Sequence, residues 1–287
     1  MQVVFDRPLQ EVPATMFKHI LITHDLSRES DLALQRAVAL AHGYGARLTL
    51  LHVLEDHLPS TLQENLRDGA QKLFQQRLEQ LGALDAQVLL RKGRPALQIL
   101  EEVEESGADL LVIGNHHHNA PELFIGTTLE RVTRHVAIPV LLVVGEKPEP
   151  YRSGVVALDF SLCACDALRA ACSLLGAEGR LTAVNVMELT GRLLAKAGTA
   201  GDYVGTQRGL LERLLADELG HVKDTPGIDL QVTQGALPHA LDERIAAAKP
   251  QFVALGSHSR SMVAQALLGS QALHLLQRPP CDVLIVK

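Results

Sequence analysis

The chain has 287 residues, of which 47% are hydrophobic and only 3% are aromatic, and it carries a formal net charge of −6. This length is sufficient for two domains of ordinary size with aliphatic cores. The acidic balance argues against binding to nucleic acid or to an anionic membrane surface, and no apolar run is long enough to span a bilayer.

The amino terminus and the cysteines predict the compartment. Residues 1–15 lack the charged segment and the following apolar segment of a signal peptide. All the cysteines lie in the second half of the chain, which is a poor framework for disulfides: Cys163, Cys165, Cys172 and Cys281. We therefore expect a soluble, cytoplasmic protein whose thiols are reduced.

Strand-like and helix-like segments alternate along the first half. Strand-like runs cover about 18–24, 48–54, 87–91, 109–113 and 139–144, and helical periodicity covers 29–42, 61–82, 95–106 and 127–136. Most of the apolar runs lack a period of two, which is typical of strands buried on both faces of a parallel sheet. The alternation predicts an α/β fold with a doubly wound parallel sheet, but it does not fix the strand order.

The same pattern occurs twice. The segment FKHILITHDLSRESDLALQRAVAL from Phe17 matches YRSGVVALDFSLCACDALRAACSL from Tyr151, and ADLLVIGNHHH matches PQFVALGSHSR further on. The matches keep one order, and the period far exceeds that of a solenoid repeat, so they indicate two tandem domains. We expect an N-terminal extension at 1–15, a first domain at 16–147 and a second domain at 151–287.

A D-x-S sequence follows the first predicted strand of each half, as Asp25 and Ser27 in one and Asp159 and Ser161 in the other. Asp and Ser at this place are typical of helix N-caps. Ligands of open α/β sheets also bind beyond the carboxyl ends of strands, at the point where strand order reverses. Both interpretations stay open for these residues.

The loop after the fourth strand is the second candidate site. In the second half it reads GSHSRSMVAQALLGSQ from Gly256, and in the first half GNHHHNAPELFIGTT from Gly114. Glycines let backbone amides approach an anion, and the start of the next helix adds partial positive charge. Hydroxyl groups and one cation accompany the second loop: Ser257, Ser259, Ser270 and Arg260.

Three consecutive histidines, His116, His117 and His118, raise the question of a metal site in the first loop. Successive side chains in a loop diverge, so three neighbours do not readily converge on one tetrahedral ion. The pattern favours a solvated loop. A metal site completed by an outside ligand such as His258, or an anion contact through protonated imidazole, is the alternative.

Each half resembles a universal stress protein domain, and the whole chain is similar to a tandem universal stress protein of the E type. The loop pattern of that family is G-x2-G-x9-G-[ST]. Gly256, Ser259, Gly269 and Ser270 occupy its positions in the second half, with serine in place of the middle glycine. In the first half, His117 takes the middle position, and the final glycine, Gly126, comes one residue early.

The resemblance implies five parallel strands per half in the order 3-2-1-4-5, helices on both faces, and an internal pseudo-dimer joined through the fifth strands. Whether two whole chains associate further into a homodimer is left open by the sequence. The resemblance also implies an adenine-nucleotide site, better preserved in the second half, where it would comprise Asp159, Phe160, Ser161, Val186, Gly256, Ser257, His258, Ser259, Arg260, Gly269, Ser270 and Gln271. The lesser site of the first half would comprise Asp25, Ser27, Val53, Gly114, Asn115, Gly126, Thr127 and Thr128.

These features favour a binding and regulatory protein of the stress response. It would hold ATP or a related adenine nucleotide, with Mg²⁺, and present an altered surface to an unknown protein partner. The sequence contains no G-x4-G-K-[ST] loop and no H-E-x-x-H motif, so no catalytic residue is assigned. Two alternatives stay open: a slow Mg²⁺-dependent ATPase or nucleotide transferase that uses Asp159, and a binder of an apolar or acyl ligand.

Overall fold

The structure, a computed structural model, describes residues 17–54, 60–115, 128–187, 200–222, 224–257 and 268–287. The predicted extension at 1–15 lies outside them. The first half contains β1 (His19–Thr23), α1 (Arg28–Tyr44), β2 (Arg47–Leu54), α2 (Ser60–Gln80), β3 (Gln87–Lys92), α3 (Pro95–Ser106), β4 (Leu110–Gly114), α4 (Thr128–His135) and β5 (Val140–Val143).

The second half repeats this order of elements. It contains β6 (Ser153–Ala157), α5 (Leu162–Leu175), β7 (Arg180–Met187), α6 (Ala200–Leu219), β8 (Gly227–Gln234), α7 (Leu237–Ala248), β9 (Phe252–Gly256), α8 (Ser270–Gln277) and β10 (Asp282–Val286). The predicted α/β fold is therefore confirmed in both halves, each of which alternates strand and helix from start to end.

The strands form one sheet of ten, in the order β3-β2-β1-β4-β5-β10-β9-β6-β7-β8. Within each half the strands are parallel and follow the expected order 3-2-1-4-5. The fifth strands pair antiparallel, with Leu141 opposite Leu284. The pairing expected from the resemblance is thus present, and it covers two strand edges that would otherwise be open.

Helices cover both faces of the sheet. On one face, α1, α2, α5 and α6 enclose a single apolar core that runs from Phe74 in the first half to Leu168 in the second. On the other face, α3 and α4 cover one cluster and α7 and α8 another, and Leu129 packs against both. Every residue of β4, β5 and β10 is buried, which explains why these strands show no alternation in sequence.

A buried polar group joins the halves at Asp282, the first residue of β10. Its Oδ1 accepts hydrogen bonds of 2.7 Å from the backbone N–H groups of Val144 and Gly145, and its Oδ2 accepts one from the hydroxyl of Tyr151. The Nε of Arg36 in α1 lies 3.6 Å from Oδ2, and its guanidinium stacks 4.1 Å from the centre of the Tyr151 ring. Burial raises the pKa of Tyr151, so its hydroxyl remains a donor.

All four cysteines are free thiols, and burial raises the pKa of three of them, Cys165, Cys172 and Cys281, to about 12. Within the described ranges, none of the helices combines the length and the hydropathy that crossing a bilayer requires.

Candidate functional site

The carboxyl end of the sheet in the second half is the first feature of the site. β6 pairs with β7 only as far as Ala157, and with β9 only as far as Val156. The ends of β7 and β9, which hold the predicted ligand residues Val186 and Gly256, therefore extend beyond β6 on its two sides. Strand order reverses here, and open α/β sheets bind ligands at such a switch point.

The D-x-S sequence of the second half forms a tight turn between β6 and α5. The Oγ of Ser161 accepts a hydrogen bond of 3.2 Å from the N–H of Ala164, so Ser161 caps the helix. Asp159 holds this cap, because its Oδ1 accepts from both the N–H and the hydroxyl of Ser161. Between them Phe160 has a left-handed backbone, with φ of 50°. The capping interpretation is confirmed for Ser161.

The first half repeats the turn with one added hydrogen bond. Ser27 caps α1 through a bond of 3.1 Å from the N–H of Ser30, and Leu26 between Asp25 and Ser27 has φ of 70°. Asp25 Oδ1 accepts from the N–H and hydroxyl of Ser27, and also from the hydroxyl of Ser30 at 2.6 Å. The second half has Ala164 where Ser30 stands, so it lacks this third donor.

Gly114 and Gly256 end the fourth strand of each half against the first turn of a helix. A Cβ on Gly114 would lie 2.7 Å from the carbonyl oxygen of Glu29. A Cβ on Gly256 would lie 2.8 Å from the Cβ of Cys163 and 3.0 Å from the N of Ala164. Packing therefore requires both glycines, whether or not an anion binds. The sequence analysis missed this role, although the recurrence of glycine in two otherwise different loops was a signal of it.

The second strand of each half positions the turn through a side chain. Asn185 Nδ2 donates to the carbonyl of Leu158, the residue before Asp159, at 2.7 Å. His52 Nδ1 lies 2.6 Å from the carbonyl oxygen of His24, the residue before Asp25, and must be the donor. Burial lowers the pKa of His52, so the ring is neutral. Val53 and Val186 follow these two residues directly and lie beside the two turns.

The start of α8 is held against the end of β9. The N–H of Gly269 donates to the carbonyl of Ser257 at 2.8 Å, and the N–H of Ser257 donates to Val286 in β10 at 2.6 Å. Gly269 is the N-cap residue of α8 and gives it no side-chain cap, in contrast to Ser27 in α1 and Ser161 in α5. Gly269 thus leaves the first amides of α8 without a side-chain cap of its own, as a partially positive helix end of the kind that binds anions.

Two residues at this helix start differ in exposure. Ser270, the first residue of α8, is exposed, whereas Gln271 is buried with 8% of its surface exposed. Neither the Oε1 nor the Nε2 of Gln271 has a hydrogen-bond partner in the part of the chain that the structure describes. Buried polar atoms are normally paired, so this side chain stands out.

The first half is described only in part at the equivalent place. The N–H of Asn115 donates to the carbonyl of Val143 at 3.1 Å, as Ser257 does to Val286, and Thr128 begins α4 as an exposed residue. Several predicted site residues lie outside the described residues and stay predictions: His116, His117, His118, Gly126, Thr127, His258, Ser259 and Arg260. Among the described residues, no group of three or more His, Cys, Asp or Glu could hold a metal.

A buried polar cluster lies beneath the turn of the first half. His24 Nδ1 accepts from the N–H of Leu26 at 3.0 Å, and its Nε2 lies 3.0 Å from Asp31 Oδ1, which also pairs with Arg77. Burial and the nearby Arg77 lower the pKa of His24 to about 4, so the neutral ring donates to Asp31 through Nε2. In the second half the residue at this place is the apolar Leu158.

Comparison with known proteins relates both halves to one family. The model of the universal stress protein family matches residues 16–144 and 150–287. The "Universal stress protein in QAH/OAS sulfhydrylase 3'region" of Thermus aquaticus is 35% identical over 137 residues, which is 45% of this chain and 99% of that protein. The "Universal stress protein A homolog" of Haemophilus influenzae is 29% identical over 138 residues, which is 45% of this chain and 96% of that protein.

Two solved structures match the whole chain rather than one half. A universal stress protein from Archaeoglobus fulgidus has a TM-score of 0.69 at 19% identity, over 94% of this chain and 98% of its own. A putative universal stress protein from Pseudomonas aeruginosa has a TM-score of 0.67 at 18% identity, over 96% of this chain and 94% of its own. At these identities the structures show the fold alone. The chain belongs to the universal stress protein family and carries two domains of that family in tandem.

Proposed function

We propose that the protein is a cytoplasmic regulator of the stress response that binds an adenine nucleotide, such as ATP with Mg²⁺, in its second half. The nucleotide would lie at the carboxyl end of β6, and its presence would change the surface that a partner protein contacts. The observation that carries the proposal is the start of α8, where the N-cap residue Gly269 supplies no side-chain cap and where the Gly269–Ser257 hydrogen bond holds the helix beside the switch point.

Each part of the proposed site suits one part of a nucleotide. The Oδ1 of Asp159 is occupied by Ser161, whereas Oδ2 accepts no hydrogen bond from the described part of the chain and is suited to a ribose hydroxyl. The backbone of Val186 lies beyond the last pairing of β6 and is suited to the edge of an adenine ring. The hydroxyl and N–H of Ser270 suit a phosphate group. His258, Ser259 and Arg260 would complete the phosphate site.

Two differences favour the second half over the first. The hydroxyl of Ser30 donates to Asp25, whereas Asp159 has no such donor at the equivalent place. More of the hydrogen-bonding capacity of Asp25 is therefore used within the chain. In the sequence, the bulky His117 replaces the middle glycine of the family pattern in the first half, whereas the smaller Ser259 replaces it in the second, and Gly126 comes one residue early. We therefore propose domain 2, residues 151–287, as the main nucleotide-binding domain, and domain 1, residues 16–147, as a degenerate copy.

A matched pair of variants tests this assignment. Asp159→Asn keeps an oxygen acceptor for Ser161 but replaces the free acceptor with an N–H donor, and Asp25→Asn makes the same change in the first half. Calorimetric titration with MgATP should give a dissociation constant about tenfold or more higher for Asp159→Asn, because a hydrogen bond to a charged group is lost. Asp25→Asn should bind as the unchanged protein does. Equal binding by all three proteins would refute the assignment to Asp159.

A further inference from the structure

Gln271 in the first turn of α8 is a buried side chain that the fold leaves without partners. Its exposed fraction is 8%, and both amide atoms lack a hydrogen bond within the described ranges. An amide has two donors and two acceptor sites, so leaving it unpaired in a buried place is costly. By contrast, the buried side chain of Asn185 in β7 is paired with the carbonyl of Leu158.

The direction of the side chain follows from helix geometry. In an α-helix the Cα–Cβ bonds tilt toward the N-terminus, so a side chain covers the turn that precedes its own Cα. Gln271 therefore leans toward the start of α8, where Gly269 meets Ser257. Leu275, one turn later on the same side of the helix, is 1% exposed in the apolar core. Helix geometry thus places the amide between the apolar core and the start of α8.

We infer that Gln271 recognises the phosphate part of the bound nucleotide and supplies selectivity for nucleotides over nucleosides. This inference rests on the function proposed above. Its Nε2 would donate to a phosphate oxygen held at the start of α8. Its Oε1 needs a donor, which a phosphate without a proton does not offer. If Mg²⁺ accompanies the phosphates, one of its water molecules would provide a donor, because Mg²⁺ keeps several waters when it binds phosphate.

The proposed role of Gln271 predicts how this residue affects the stability of the empty, nucleotide-free protein. The amide, which has no partner among the described residues, destabilises the fold when the site is empty, and the ligand removes that penalty. Replacing Gln271 with methionine, an unbranched side chain of similar length, should therefore stabilise the empty protein while weakening the binding of MgATP. If Gln271 had only a structural role, its replacement would change stability and MgATP affinity in the same direction, or it would leave MgATP binding unaffected.

Gln277 in the same helix provides the matched control. Its Nε2 donates to Glu130 Oε1 in α4 at 3.0 Å, so this glutamine is paired. Gln277→Met loses that hydrogen bond and should lower the melting temperature slightly, with no effect on the dissociation constant of MgATP. The same substitution in one helix is thus expected to have opposite effects on the stability of the empty protein.

The test measures the melting temperature of each nucleotide-free protein and its dissociation constants for MgATP and adenosine. For Gln271→Met we expect a melting temperature about 2 °C higher, a MgATP constant about tenfold higher, and an unchanged adenosine constant. A lower melting temperature, or MgATP binding equal to that of the unchanged protein, overturns the role of Gln271. Failure of the unchanged protein to bind MgATP overturns the proposed function as well.

Discussion

Beneath the D-x-S turn, the first half of the molecule has the buried histidine His24, and the second half has Leu158 at the same place. His24 donates to Asp31 and lies against Phe74, with 5.0 Å between ring centres. The two turns above them nevertheless share a serine cap, an aspartate that holds it and a left-handed residue between the two. The local hydrogen bonds of D-x-S therefore determine the turn, whatever packs below it.

The comparison also shows where the repeat is not symmetrical. Asp282 pairs with Arg36 and Tyr151 at the junction of the halves, but Pro139 and Ala170 stand at the places that would mirror Asp282 and Arg36. This polar group therefore lies on one side of the pairing between β5 and β10, and the residues at the mirrored places do not repeat it.

Removing the carboxylate of Asp282, which only one half supplies to the junction, should have the largest effect on stability. Asp282→Ala leaves the buried guanidinium of Arg36 without its acid and removes the acceptor of two backbone N–H groups, so we expect a loss of about 3–5 kcal/mol in the free energy of unfolding. Urea denaturation measures it. Asp282→Asn keeps an oxygen acceptor and should lose less. A loss below about 1 kcal/mol in the alanine variant would mean that the junction is not held by this carboxylate.

Replacing Gly114 at the end of β4 and Gly256 at the end of β9 with alanine distinguishes a role of these glycines in packing from a role in ligand binding. Gly114→Ala and Gly256→Ala should each lower the free energy of unfolding by about 3 kcal/mol, because the added Cβ meets atoms of a helix turn at 2.7–2.8 Å. Gly256→Ala alone should also weaken MgATP binding, since it displaces the turn beside Asp159. Thermal denaturation and calorimetric titration of both proteins measure this. Weakened binding in Gly114→Ala would contradict the difference between the halves.

The polar cluster of the first half predicts a dependence of stability on pH. The unfolded chain protonates His24 at an ordinary pKa of 6.5, and the folded protein only near 4, so stability is lost as the pH falls from 6.5 toward 4. His24→Leu, which copies the second half, should remove about 2 kcal/mol of the loss between pH 7 and pH 5. Denaturation at both pH values measures the slope, and the exposed His239→Leu is the control. An unchanged slope in His24→Leu would show that His24 does not titrate as proposed.

Much of the fold could be predicted because its signals are local. The apolar run near 109–113 corresponds to β4, Leu110–Gly114, and the helical periodicity at 29–42 corresponds to α1, Arg28–Tyr44. The residues Ser27 and Ser161 were recognisable as caps because a cap depends on its own neighbours in sequence. The strand order came from the resemblance to a family, since apolar runs alone do not encode it.

The rest of the site could not be predicted because it depends on contacts between distant segments. The packing role of Gly256 requires the position of α5, nearly a hundred residues earlier in the chain. His24 donates to Asp31 of α1, and its Nε2 lies 3.2 Å from the guanidinium of Arg77 in α2, but no spacing in sequence relates His24 to Arg77. The burial of Gln271 likewise depends on how α8 packs on the sheet, and in sequence it is simply a polar residue after Gly-Ser.

The most direct test of the central claim, that the second half holds the nucleotide, is photolabelling with an azido-ATP followed by peptide mapping. We expect the label in peptides of residues 151–287, near the end of β7 beside Val186, and we expect excess ATP to prevent it. Label near Val53 at the end of β2, or label in both halves in equal amounts, would contradict the account.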